Sequence, residues 1–321
     1  MGNSRVRLPA AAQKYLTKME KEQWLMERRK GIGGSDIAAI LGLTPKWKTP
    51  YQVWEEKTGR SDGPADNPQM KAGRKLEPVV VEYFQEGTGL KTAFADFIRY
   101  PGFPFILGTP DRIVILPSSE GILEIKTTGA KIDKQDIPHA WFCQVQWYAG
   151  IRQAIIPGTC EMNYIAWFER QSCLFDYLEL PFNPAFFQYL VKQATEFWGR
   201  YVLEDTPPAP MNAKDVLSQW PRHKEGVIIN ATGTCCDIID KLREARRRRK
   251  DAEDEVEGLE DAIKLAMRDA ETLLVDGTPA VTWRAGKDTQ MLDIARMKEE
   301  NIEIYNKYQI TKPGVRRFLL K

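Results

Sequence analysis

An α/β domain with an α+β extension behind it is the architecture this sequence predicts. Helical patterns alternate with extended ones as far as Leu203, and the strongest extended signal is a hairpin within residues 105–128. A proline-rich stretch at 204–210 then separates this part from a long charged helix and a second hairpin. The 321 residues, 43% hydrophobic and 28% charged, suffice for one large domain or two ordinary ones with proper cores. We divide the chain into a core at 1–205 and an accessory region at 211–321. A formal net charge of +2 does not mark a nucleic-acid binder, so any DNA surface has to come from local clustering.

No apolar run reaches the ~18 residues of a membrane span, and the N-terminus lacks an apolar signal core. Both features predict a soluble protein of the cytoplasm. Five cysteines without a Cys-x-x-Cys read as reduced, mostly buried thiols. With two histidines, His139 and His223, a His-based relay or metal site is poorly supported. A metal in this chain has to be held by carboxylates.

Residues 14–30 have an amphipathic helical pattern whose buried set is Leu16, Met19, Trp24 and Leu25. GIGGSD follows and opens a short helix, IAAILGL. Its outward N–H groups suit an anion, with Arg28, seven residues before Ser35, able to complete a phosphate pocket; alternatively Ser35 simply caps the helix. Without Gly-Lys-Ser/Thr, a nucleotide P-loop is excluded. The loop Thr44–Pro50 sets Trp47 between Lys46 and Lys48, either to stack on a base or with the indole tucked into the core. Tyr51–Thr58 and Met70–Glu86 read as helices. On the second, Glu77 is solvated by default, but its apolar neighbours fit an active-site carboxylate once the later motif is considered.

Leu90–Tyr100 reads as one strand leading to the hairpin. There, GTPDRIVILPSSEGILEIKTT places Leu123 and Ile125 on one face of the returning strand and Glu124 and Lys126 on the other, ~6.6 Å apart. Glu-x-Lys on a strand is usually a solvated charge pair. With Asp111 beside that face, two carboxylates and one ammonium converge. With an exposed carbonyl such as that of Ile125, they suit a hard divalent cation like Mg²⁺, which lowers the pKa of a bound water. His139–Ile151 is a helix with Gln144 and Tyr148 on one face; Gln144 is a surface residue by default and otherwise reaches a phosphate or the attacking water. Met162–Phe168 and Cys173–Leu180 form a hairpin, and Asn183–Leu203 a long helix.

Beyond the prolines, Cys235–Ala270 is a long helix with apolar or small residues at three/four spacing, broken by Arg249. This suggests packing on a partner helix or on the domain's own body. Its Arg246–Lys250 run precedes DAEDEVE and reads as a self-paired, solvated face rather than a DNA-binding arm. Residues 211–321 carry 21 basic and 20 acidic side chains, so the region is no electrostatic arm. Thr272–Arg284 is a hairpin turning at Asp276-Gly277, Met291–Asn301 a short helix, and Arg316–Lys321 a closing strand.

Over roughly residues 24–200 the sequence resembles the YqaJ-like viral recombinase nucleases, the group that includes phage lambda exonuclease. The residues that carry the resemblance are Trp24-x-x-x-Arg28 before GIGGSD, KWKTP, Gly73-x-x-x-Glu77, TPD with Asp111, LEIK with Glu124 and Lys126, and QVQWY with Gln144. The resemblance implies a restriction-endonuclease-like mixed sheet flanked by helices. It implies Asp111, Glu124 and the Ile125 carbonyl as ligands of Mg²⁺ or Mn²⁺, Lys126 acting on the water, Glu77 assisting, Gln144 lining the site, and Arg28 and Ser35 anchoring a terminal 5′ phosphate. The implied activity is 5′→3′ digestion of one strand of duplex DNA, leaving a 3′ overhang for a phage-type single-strand annealing protein in a bacterial host. Some members form a ring-shaped homotrimer around DNA. An endonuclease on the same core, or a non-catalytic DNA-binding or assembly module, are the competing readings. After Pro210 the chain runs longer than the compact lambda-type enzyme, and this tail can clamp DNA, mediate oligomers or bind the annealing partner.

Overall fold

A computed structural model describes residues 26–320. They form two compact units, divided between Gln219 and Trp220. Of the first expected helix, residues 26–29 are helical; Leu16, Met19, Trp24 and Leu25 lie outside the described residues.

The first unit is built on a five-stranded mixed sheet in the order β1 (Lys91–Phe94), β4 (Arg112–Ile115), β5 (Glu120–Thr128), β6 (Met162–Glu169) and β7 (Leu174–Pro181). The β5–β6 pair is parallel and the others antiparallel. A parallel pair needs a crossover, and helix α4 (His139–Ile155) supplies it. The expected strand over 90–100 is instead two. β1 joins the sheet through β4, whereas β2 (Ile98–Arg99) pairs with β3 (Leu107–Gly108) in a separate ribbon.

Strand alternation sorts the side chains onto the two faces. Leu123 and Ile125 of β5 pack with Val80 and Phe84 of helix α3 (Pro68–Thr88) and with Tyr164 and Ala166 of β6. Ile122 belongs to the opposite core, with Trp147 and Tyr148 of α4, Ile37 of α1 (Gly34–Ile40), Trp54 of α2 (Pro50–Lys57), and Phe187 and Leu190 of α5 (Pro184–Phe197). The long helix expected to reach Leu203 leaves α geometry after Phe197, and a π-helical turn covers Trp198–Leu203. The buried amide of Asn163 locks β5 to its neighbour, accepting from Ile122 N–H at 3.0 Å and donating to the Cys160 carbonyl at 2.7 Å. The proline-rich stretch lies within the first unit: Pro208 is buried, and the buried Asp215 of α6 (Ala213–Gln219) accepts from Met211 N–H at 3.0 Å.

One short connection positions the candidate site. Ile32 bridges Ile106, accepting from Leu107 N–H at 2.9 Å and donating to the Phe105 carbonyl at 2.6 Å. A methyl group on Gly31 would lie 2.2 Å from that Phe105 oxygen, so only glycine permits the approach.

The second unit holds helix α7 (Gly233–Met267), the hairpin β8 (Thr272–Val275) and β9 (Thr278–Thr282), and short helices α8 (Ile294–Glu300) and α9 (Ile302–Lys307). Asp276 and Gly277 both take positive φ, 51° and 79°, as a two-residue hairpin turn of the mirror-image kind requires. Residues 316–320 form no strand, which corrects the expected closing strand: no sheet edge within the unit pairs with them. The thiols also differ from expectation. Cys143 and Cys160 are buried, but Cys173, Cys235 and Cys236 are exposed, because they stand in a tight turn and on the first turn of an uncovered helix.

Phe84 is fully buried and meets Tyr164 and Tyr177 edge-on at 5.3 and 5.7 Å. Phe84→Ala is expected to destabilise the first unit by about 3–5 kcal/mol, read as a lower midpoint in urea unfolding followed by aromatic fluorescence.

Candidate active site

Asp111 stands in the connection just before β4, and Glu124 lies across the hairpin on β5, where Leu123 pairs with Arg112. The hairpin register alone brings the two carboxylates to one place. Asp111 Oδ2 accepts from the Ile125 N–H at 2.8 Å, tying the carboxylate to the main chain beside Glu124. Glu124 is 4% exposed. Its Oε1 accepts from Lys126 Nζ at 2.6 Å, while its Oε2 is buried without a hydrogen-bond partner. Lys126 Nζ also donates to Gln144 Oε1 of α4 at 2.7 Å. Glu124 and Lys126 thus share a face of β5, and Gln144 meets them there.

Desolvation, and next the Glu124 charge, push the Asp111 carboxyl up to about 8; Lys126 and the Ile125 amide act in the opposite sense. Ionised together, the two carboxylates would carry more negative charge than one ammonium offsets, a state that the raised Asp111 carboxyl disfavours at neutral pH. That excess and the orphaned Glu124 Oε2 are what a site for a divalent cation would show. Glu77 takes another role in the geometry. Its Oε1 accepts from Arg112 Nη1 at 2.6 Å, and the same nitrogen donates to the Asp111 carbonyl at 2.5 Å. The Arg112 guanidinium lies over the Phe94 ring at 4.3 Å. Among the described residues no three His, Cys, Asp or Glu side chains gather as a metal cluster; Asp111 and Glu124 meet as a pair.

Asp111, Glu124, Glu77, Gln144, Arg28 and Ser35 line one cleft of about 390 Å³. Lys126 is joined to two of the lining residues, Glu124 and Gln144. On the far wall Arg28 Nη2 donates to Ser35 Oγ at 3.1 Å, so the two expected anchor residues do meet. Ser35 is not the helix cap. Gly33 occupies that position, and the Asp36 carboxylate folds back on the Gly33 N–H at 3.0 Å, taking one of the amides offered to an anion.

Asp36 is the residue that sequence reasoning missed. It is fully buried, between Lys48 Nζ at 2.8 Å and Lys57 Nζ at 2.7 Å. Lys57 further donates to the Arg28 carbonyl at 2.9 Å, and Lys48 to Glu56 at 2.5 Å. Burial alone would raise the Asp36 carboxyl; Lys48, Lys57 and Arg28 outweigh it and hold it well below the ordinary 3.8. The signal was present as Gly33-x-x-Asp36, the spacing at which a carboxylate reaches back to the start of its helix. Of the two alternatives for Trp47, the indole tucked into the core does not hold, since it is 83% exposed, and Lys48 beside it turns inward to two carboxylates. Tyr148, expected on the Gln144 face of its helix, also lines the cleft. Its ring packs on Gly34, where a methyl group would sit 2.6 Å from it, and its hydroxyl hydrogen-bonds Gln144.

Comparison with known proteins follows this geometry. The family model of the YqaJ-like viral recombinase domain matches residues 23–154. The uncharacterized protein YqaJ of Bacillus subtilis (strain 168) is 30% identical over 324 aligned positions, covering 95% of each chain. Among solved structures, an alkaline exonuclease from Laribacter hongkongensis is similar at 15% identity and a TM-score of 0.45, over 57% of this chain and 93% of its own. A phage-related exonuclease from Haemophilus somnus 129PT is similar at 11% identity and a TM-score of 0.41, over 55% of this chain and 95% of its own.

Asp36→Asn leaves two buried ammonium groups without their shared countercharge and is expected to cost about 3–5 kcal/mol. The folded-state pKa of Asp36 is depressed, so its contribution is complete above 3.8 and is lost as pH falls through the lower folded value. Thermal melts of the two proteins are expected to differ most at neutral pH and to converge in strong acid.

Proposed function

Because the chain belongs to the YqaJ-like viral recombinase family, we propose that it is a metal-dependent deoxyribonuclease that digests duplex DNA from its ends, 5′→3′, and leaves 3′ single-stranded overhangs. The observation that carries this reading is the meeting of Asp111 and Glu124 at one cleft, with Lys126 bound to the second carboxylate.

Asp111, Glu124 and the Ile125 carbonyl are the residues that would hold Mg²⁺, with Mn²⁺ as a substitute. Bound there, the ion supplies a lowered water pKa and positive charge against a phosphoryl oxygen. Lys126, fixed by Glu124 and Gln144, positions the attacking water and offsets charge on the phosphate. Gln144 lines the cleft and holds Lys126 in place. Glu77 acts through Arg112, which it orients against the Asp111 main chain. Arg28 and Ser35, already in contact on the opposite wall, present a guanidinium and a hydroxyl to a terminal 5′ phosphate. A 3′ overhang made this way is the substrate of a phage-type single-strand annealing protein, which is the partner we propose, in the cytoplasm of a bacterial host. A ring-shaped homotrimer of the cores would keep the enzyme on its strand.

Lys126→Ala is expected to lower nucleotide release by at least about 100-fold while leaving duplex binding in gel-shift titrations nearly unchanged. In the wild type, linear duplex is digested only with Mg²⁺ and a closed circle is spared; cutting of the circle would replace the exonuclease reading with an endonuclease. Arg28→Ala is expected to slow digestion of 5′-phosphorylated ends and to narrow their advantage over 5′-hydroxyl ends. An unaltered preference would remove the anchor assignment.

A further inference from the structure

The second unit leaves its own apolar residues uncovered. Among its described residues Met267 is the buried hydrophobic one, while Ile238, Val256 and Leu259 on helix α7 are 57%, 55% and 60% exposed. These belong to a strict three/four repeat. Ile238, Leu242, Ala245, Arg249, Ala252, Val256, Leu259, Ile263 and Ala266 recur at alternating steps of four and three, which winds them along one face for four heptads. A face of this kind is a helix-pairing seam, and it lies open to solvent on a helix of 35 residues.

The charges along the same helix say what covers it. Residues 241–250 carry seven basic side chains and one acidic, whereas residues 251–261 carry seven acidic and none basic. The change of sign falls between Lys250 and Asp251, at the middle of the helix. A parallel partner of the same sequence would set Lys241 beside Arg246 and Glu255 beside Glu260. An antiparallel one sets each basic half against the acidic half of the other.

We propose that helix α7 pairs antiparallel with α7 of a second copy of this chain, about a two-fold axis at Lys250–Asp251. The two patterns then agree in register. With the axis at that point, Leu242 meets Leu259 of the second copy, Ile238 meets Ile263, and Val256 meets Ala245, so that the large layers lie toward the ends of the seam and the smaller ones toward its middle. In the flanking positions Arg246 meets Glu253 of the second copy and Arg248 meets Glu255, and the two-fold repeats each pair. Arg249, the charged seam position, faces Ala252 next to the acidic half. The axis selected by the charges is one that the apolar repeat also permits, although neither pattern dictates the other.

Sedimentation of the full-length protein at ~0.1 M salt, where surface charges still act over about 10 Å, tests the pairing. The wild type is expected to hold an even number of chains. Arg246→Glu with Arg248→Glu in one variant, and Glu253→Arg with Glu255→Arg in another, are each expected to halve that mass, whatever order the cores adopt among themselves. An equimolar mixture of the two variants restores every flanking pair, half of them with reversed polarity and half as in the wild type, and is expected to recover the wild-type mass, which separates a lost pair from a lost fold. A wild type of one or of an odd number of chains overturns the proposal in favour of a different partner for the seam. Unchanged masses in both variants, or a mixture that fails to recover, overturn it as well.

Discussion

Two carboxylates held side by side in a desolvated cleft repel each other, and much of the first unit can be understood as what keeps them there. Asp111 is pinned by the Ile125 amide and Glu124 by Lys126, so neither can rotate away without breaking a hydrogen bond. Behind them the strands are fixed by the Asn163 amide and by the layer of Leu123, Ile125, Val80 and Phe84. On the other face Trp147 donates its indole N–H to the Leu107 carbonyl at 2.7 Å, anchoring the approach to Asp111 from α4. Both carboxylates can ionise together only when something outside the protein balances the second charge.

The opposite wall of the cleft follows the same logic with the signs exchanged. Arg28 and Ser35 face the opening, and their support is an inward ion network in which one carboxylate serves two lysines. Such a network gives little net stability compared with an apolar core of the same volume, but removing one member is costly. Its evident use here is positional: Lys57 grips the main chain of Arg28 while Asp36 closes the start of α1, so the arginine and the serine are set by the same buried charge.

The parts of this arrangement that could be read from sequence are those governed by local periodicity. A strand alternates every residue, so Glu124 and Lys126 had to share a face once the strand was recognised, and a tight hairpin had to return them beside Asp111. The i, i+4 spacing put Gln144 and Tyr148 on one face of α4 in the same way. What was not legible depended on distant partners. Nothing local tells a loop lysine such as Lys48 that a buried carboxylate waits for it, nor breaks the run from Leu90 to Tyr100 into strands of two different sheets. The seam of α7 was visible as a repeat, but a repeat does not say what covers it; Val256 and Leu259 are exposed.

The contact between Gly34 and the Tyr148 ring ties these threads together. Tyr148 stands one helical turn from Gln144, which grips Lys126, and Gly34 stands beside Ser35, which meets Arg28. Close-packed interiors transmit displacement rather than absorb it. The two jaws of the cleft are therefore cast as a single rigid gauge. Thermal motion can tilt that gauge as a whole, but it cannot widen the gap between the jaws without first unseating a tyrosine from the backbone it leans on.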